Sequence, residues 1–307
     1  MSTAIRILFV DDEERILRSL ALQFRRQYDV LTESDPRRAL ERLKSEPVHI
    51  IVSDQRMPQM SGAELLAQAR EIAPDTLRIL LTGYSDLDAA VAALNDGGIF
   101  RYLTKPWDQQ EMVFTLRQAA EIAARQVQAS APGMPTTLGN QRAPLTVLLL
   151  DNDAQTLGVV AEFCVGGGHR LLRVGSLSEA AAVLNDQTVD MLVSDLQLAG
   201  EDAAPLLKSL AQAHPRLLSL VVTPFCDTQA LLKLINEAQI FRYLPKPIRR
   251  GLFDKGLLAA AEQAYAWRSQ PARVVTRLAQ APREAREQEK VGSWLGMLGR
   301  LRERLSA

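Results

Sequence analysis

Asp11, Asp12, Asp54, Thr82 and Lys105 are the side chains of the first half of the chain whose types suit joint chemistry. Carboxylates brought together raise one another's pKa values unless a cation sits among them. Mg²⁺ suits an all-oxygen set, keeps several of its waters and accepts phosphate as a further ligand. With the charge neutralised, Asp54 can act as a nucleophile towards a phosphoryl group and form an aspartyl phosphate. Lys105 and Thr82 would then hold the transferred oxygens. Such chemistry requires residues far apart in the chain to meet, which sets a condition on the elements that carry them.

Asp54 follows Val48 to Val52, an apolar run with only His49 polar that fits a strand buried on both faces. Ile5 to Val10, Asp29 to Thr32, Val48 to Ser53, Arg78 to Leu81 and Phe100 to Leu103 read as five strands. The segments between them have helical spacing: Leu17, Leu20 and Phe24 share one face, and Met112, Leu116 and Ala119 another. Strict alternation of strand and helix predicts a parallel sheet with helices on both sides. Asp11 and Asp12 then follow the first strand, Asp54 the third, Thr82 the fourth and Lys105, before Pro106, the fifth. All reach the edge where open parallel sheets bind their ligands. His49, inside a strand, reads as a satisfied core side chain.

The pattern occurs twice. Asp54 recurs as Asp195, Thr82 as Thr223 and the Phe100 of FRYL as Phe241, each 141 positions on, whereas Asp11 recurs as Asp151, 140 positions on. The extra residue falls most simply in the Gly166 to Gly168 run. A unit this long is a duplicated domain and not a solenoid repeat. Residues 128–144, rich in Pro, Gly and small polar residues, read as a flexible linker.

Asp11, Asp12, Asp54, Met57-Pro58, Gly62, Thr82-Gly83, Tyr102 and Lys105-Pro106 together resemble the receiver domain of bacterial two-component response regulators. The resemblance implies an α/β fold: two doubly wound five-stranded parallel-sheet (flavodoxin-like) receiver domains, at 1–127 and 145–268, plus a C-terminal helical tail at 269–307. It also implies that Asp54 accepts phosphate from a histidine kinase or phosphotransfer protein. Asp11, Asp12, Asp54 and the carbonyl of Arg56 would surround Mg²⁺, and Thr82 and Tyr102 would form a switch pair reshaping the surface of the fourth helix, fifth strand and fifth helix. The bulky Arg56 and Tyr84, two residues after Asp54 and Thr82, are expected to shield the acyl phosphate and prolong its life.

The second copy keeps Asp151, Asp195, Thr223, Tyr243 and Lys246-Pro247. Asn152 replaces the second aspartate of the pair, and Asp153 is the expected substitute, completing a metal set of Asp151, Asp153 and Asp195. Pro224 replaces Gly83 and has no N–H to offer a phosphoryl oxygen. Asp195 is therefore expected to take phosphate poorly or not at all.

In the tail, Val291, Trp294, Leu295, Leu298, Leu301 and Leu305 form an apolar stripe at helical spacing, on a helix expected from about Arg283, with a short helix before it between Pro271 and Pro282. The stripe reads as packing on a receiver or on a second copy, with a partner's groove or a membrane surface as alternatives. Lys plus Arg and Asp plus Glu number 36 each, two cysteines make no disulfide framework, and no leader or long apolar span is visible. Together with the absence of a recognisable output module in the tail, these features predict a cytoplasmic protein with no fused output enzyme and no nucleic-acid partner, and they disfavour a membrane contact. A downstream protein and a second copy of the chain are the expected partners. A phosphorylation-independent adaptor built from receiver-like domains is the alternative function.

Overall fold

The computed structural model describes residues 4–83, 91, 93–129, 142–224, 228–269, 279, 282 and 284–305. Most of the linker expected over 128–144, Tyr84, and the short helix expected after Pro271 lie outside the described residues. The chain divides into two compact units, Met1–Gly133 and Met134–Ala307.

In the first unit, strands β1 (Arg6–Val10), β2 (Asp29–Glu33), β3 (Ile50–Asp54), β4 (Leu77–Thr82) and β5 (Arg101–Thr104) form one all-parallel sheet in the order β2-β1-β3-β4-β5. Helices α1 (Glu14–Phe24), α2 (Pro36–Ser45) and α3 (Gly62–Ile72) and a π-helical turn, Ala93–Gly97, lie between successive strands, and α4 (Gln109–Ala129) follows β5. The apolar faces predicted for the first and last helices are those buried: Leu17, Leu20 and Phe24 on α1, and Met112, Leu116 and Ala119 on α4. β3 is buried along its whole length, the condition that makes it read as an unbroken apolar run. His49 sits just before β3 and accepts the Arg6 backbone N–H on Nδ1 at 3.0 Å.

The second unit repeats this order with β6 (Thr146–Leu150), β7 (Arg170–Arg173), β8 (Met191–Ser194), β11 (Leu218–Thr223) and β12 (Arg242–Pro245), all parallel, in the order β7-β6-β8-β11-β12. Its helices are α5 (Ala154–Gly167), α6 (Leu177–Asp186), α7 (Ala204–Ala213), α8 (Thr228–Lys233) with its π-helical continuation Leu234–Ala238, α9 (Arg250–Ser269) and α10 (Ala285–Leu305). A short antiparallel hairpin, β9 (Gln197–Leu198) and β10 (Glu201–Asp202), stands in the loop after β8. Arg6 lies opposite Asp29 and Thr146 opposite Arg170, so the additional residue enters between the first and second strands of this unit. α5 has 14 residues against 11 in α1, the added residue supplying one of the three and positions that form a turn after α1 the rest, and the helix is capped by Gly168, whose φ of 66° suits a residue without a Cβ.

The repeated FRYL has a packing cause. Arg101 and Arg242 are buried, with their guanidinium groups 4.5 and 4.2 Å from the ring centres of Phe100 and Phe241. Burial pushes the Arg101 pKa down to about 9.

The tail helix α10 packs on α7 and α6 of the second unit. Val291 and Leu298, two turns apart, are buried, while Trp294 and Leu295 are half-buried. The closely spaced Gly292 and Gly296 face open space, since a Cβ on either would meet no atom within 4 Å. Gly292→Ala and Gly296→Ala are therefore each expected to stabilise the second unit, by up to about 1 kcal/mol, through helix propensity alone. Urea denaturation followed by the ellipticity of the full chain checks this, with an upward shift of the midpoint expected for both. Among the described residues no helix is long and apolar enough to cross a membrane.

Candidate functional site

Parallel pairing places the carboxyl ends of β1, β3, β4 and β5 on one edge of the first sheet. Asp11, Asp54 and Thr82 are buried there. Lys105 Nζ lies 2.9 Å from Asp11 Oδ2 and 2.7 Å from Asp54 Oδ1. Asp12 completes the group on its exposed side, with ligand oxygens of Asp11, Asp12 and Asp54 all within 4.8 Å of one another. Two buried carboxylates and one exposed one, this close, form the hard-oxygen pocket that a divalent cation of the Mg²⁺ type accepts.

Backbone groups orient these side chains. The Glu13 N–H donates to Asp11 Oδ1 at 2.9 Å, and the Arg56 N–H donates to Asp54 Oδ2 at 3.2 Å. Ser53 Oγ donates to the Asp54 carbonyl, and the Lys105 N–H donates to the Thr82 carbonyl at 2.8 Å. The Arg56 side chain is exposed. Tyr102, on β5 beside the site, is buried, and burial drives its phenol pKa well above the usual value.

Burial raises the Asp54 pKa, Asp11 adds to the rise, and Lys105 opposes it. For Lys105, burial alone would lower the pKa, but the contacts with Asp54 and Asp11 outweigh it and hold the ammonium more firmly protonated than usual. A partly desolvated carboxylate beside a fixed ammonium suits attack on an anionic centre whose oxygens need a positive partner.

Gln55, Ser61 and Glu64 position the site without belonging to its motif. The buried Gln55 accepts the Ala63 N–H on Oε1 at 3.0 Å, tying the start of α3 to the residue after Asp54. Ser61 and Glu64 form a capping box on α3, which the Ser-x-x-Glu spacing could have revealed. Gly62 passes so close to Asp54 that a Cβ would lie 2.1 Å from the Asp54 carbonyl oxygen and 2.8 Å from Leu80 Cδ1. Gly62→Ala is expected to destabilise the first unit by about 1–3 kcal/mol or more, because the clash is with backbone. Thermal unfolding checks this, with a melting temperature equal to wild type as the contrary outcome.

The second unit assembles a different group. Lys246 Nζ lies 2.9 Å from Asp151 Oδ2 and 2.6 Å from Asp195 Oδ2, and Asp195 Oδ1 accepts the N–H groups of Leu196 and Gln197. Asp153 does not join them. Its Oδ2 accepts both the N–H and the Oγ1–H of Thr156 at 2.8 Å, capping α5, and these bonds hold its pKa below the usual carboxylate range. Its N–H donates to Asp151 as that of Glu13 does to Asp11, so Asp153 is the counterpart of Glu13, while Asn152 takes the place of Asp12. The expected metal set Asp151, Asp153 and Asp195 is thus not brought together. Among the described residues Asp11, Asp12 and Asp54 form the only such three-acid group. Lys246 bridges Asp151 and Asp195 as Lys105 bridges Asp11 and Asp54, but among the described residues no third carboxylate joins the pair. Tyr243 Oη donates to the Pro224 carbonyl at 3.4 Å.

Residues 7–117 match the response regulator receiver domain family. The hydrogenase transcriptional regulatory protein HoxA of Bradyrhizobium diazoefficiens is 37% identical over 134 residues, which cover 44% of this chain and 28% of that protein. The DNA-binding transcriptional regulator NtrC of Escherichia coli is 44% identical over 80 residues, 26% of this chain and 17% of NtrC. A solved signal receiver domain of an HD domain-containing protein from Pseudomonas fluorescens is 40% identical, with a TM-score of 0.40 over 42% of this chain and 95% of that one. The chain thus spans about a quarter of the length of the curated relatives it matches.

These relatives correct two expectations. They are transcriptional regulators, one of them DNA-binding, and most of each lies outside the matched segment. The exclusions of a nucleic-acid partner and of a fused output enzyme are therefore withdrawn. A charge balance summed over the whole chain could not support the first, because a nucleic-acid-binding face is a local patch of charge. The makeup of residues 269–307 could not support the second, since a receiver fold is compatible with many outputs.

Proposed function

Residues 7–117 are a response regulator receiver domain, and on that premise we propose that the chain is a cytoplasmic phosphorelay protein that takes a phosphoryl group on Asp54 from a histidine kinase or phosphotransfer protein. The observation that carries the reading is the Asp54 carboxylate, buried at the sheet edge, 2.7 Å from Lys105 Nζ and grouped with Asp11 and Asp12. In the proposed step an Asp54 oxygen forms a bond to phosphorus as the P–N bond of the donor phosphohistidine breaks, and the imidazole leaves with the electron pair. Lys105 pairs with a phosphoryl oxygen, and its firmly held proton keeps it cationic throughout. Asp11, Asp12, Asp54 and the Arg56 carbonyl would hold Mg²⁺, which when bound supplies Lewis-acid neutralisation of the phosphoryl charge. Thr82 and Tyr102 are the proposed switch pair, Thr82 at the end of β4 beside the site and Tyr102 turned into the core, able to carry the change to a downstream partner.

Incubation of the full chain with acetyl phosphate and Mg²⁺ tests this. One hydroxylamine-labile phosphoryl group per chain is the expected result. A chain that takes none, with no change on adding beryllofluoride, would favour the phosphorylation-independent adaptor.

A further inference from the structure

Lys208 carries its charge where a charge is costly. It lies on α7 and is 3% exposed, and a buried charge persists only if paired. Its Nζ lies 2.7 Å from Glu237 Oε2 and 2.8 Å from Glu287 Oε2. Glu237 is buried in the π-helical continuation of α8, and Glu287 is in the first turn of α10. One ammonium therefore ties three elements together. Lys233, the last residue of α8, adds a second tie, 2.6 Å from Glu284 and 3.9 Å from Glu287. A third links α7 to α10 directly, because Ser209 Oγ lies 3.1 Å from the Val291 carbonyl and is buried with it.

The duplication supplies an internal control. At the corresponding positions the first unit has Ala67 for Lys208, Gln68 for Ser209, Ala92 for Lys233 and Asp96 for Glu237. Gln68 is exposed, so that face of α3 is solvated where the face of α7 is covered. The lysine, the serine and the second lysine are thus features of the half that bears the tail helix.

We propose that α10 is an intrachain clamp that holds α8 and its π-helical continuation against α7, so that this part of the second unit moves only when α10 lifts away. The clamp does not depend on phosphoryl chemistry at either aspartate. Its ionic arrangement ranks the variants. Lys208→Met keeps most of the aliphatic bulk but leaves two carboxylates facing each other without a cation. Glu287→Gln leaves Lys208 its buried partner Glu237, so its effect is smaller.

Hydrogen exchange of the full chain tests the inference. Lys208→Met is expected to accelerate amide exchange at least tenfold in both 285–298 and 228–238, Glu287→Gln to accelerate both by less, and neither to alter residues 6–83. Val291→Asp, which attacks the apolar seat of α10 and leaves the ion cluster's residues in place, is expected to free 228–238 as well. If Lys208→Met also exposes β6 and β11, the second unit has unfolded, and Val291→Asp with Glu287→Gln carry the test. Exchange that rises in 285–298 of Val291→Asp while 228–238 keeps its wild-type rate would overturn the clamp.

Discussion

Asp54→Ala is expected to abolish phosphorylation of the whole chain by acetyl phosphate, while Asp195→Ala leaves the wild-type stoichiometry of one. Both aspartates end a buried central strand or follow it directly, and both face a lysine at hydrogen-bonding distance, so the expected difference rests on their surroundings. Asp54 shares its edge with Asp11 and Asp12. Asp195 shares its edge with Asp151 and Lys246, and the side chain that could have replaced the third carboxylate is committed to capping α5. Pro224 also lacks the N–H that Gly83 carries, and removing one preorganised donor from a charge-stabilising site costs about 3 kcal/mol, roughly a hundredfold in rate. Phosphate-affinity gels distinguish the outcomes. A shifted band that persists in Asp54→Ala and disappears in the double variant would make Asp195 the acceptor.

Lys105→Met is the second large expected effect, a fall of about 10²–10³ in the phosphorylation rate. Lys105 opposes the rise that burial imposes on the Asp54 pKa, so its loss leaves Asp54 harder to ionise as well as removing the cation that meets the phosphoryl oxygens. A general loss of structure would lower the rate too, so the labelling rate is to be read beside far-ultraviolet ellipticity and the midpoint of unfolding. A Lys105→Met protein that folds as wild type and labels at the wild-type rate would remove Lys105 from the mechanism.

Much of the first unit could be read without coordinates because its signals are local. The apolar run before Asp54, the faces of the first and last helices and the alternation of strand with helix depend on residues a few positions apart. The repeat was legible for a different reason, the match of residue types 140 to 141 positions apart, and its shift by one pointed to the stretch between the first two strands where the structure inserts a residue. Element ends moved by a residue or two, since caps and ladder bonds set them and hydrophobic pattern does not.

What the chain alone determined was the order of elements and which side chains must reach one sheet edge, because a parallel sheet brings all strand ends of one sense together. Only the tertiary structure decided how each side chain is spent once there. Asp153 is one residue from where a second metal ligand would stand, yet its carboxylate meets Thr156 instead, a choice made by the N-terminus of α5. Lys208 reads as an ordinary helix-surface lysine until α10, some eighty residues on, covers it and supplies Glu287. A nearby hydrogen-bond donor and a distant helix both compete for the same groups that motif spacing assigns, and that competition is resolved only in three dimensions.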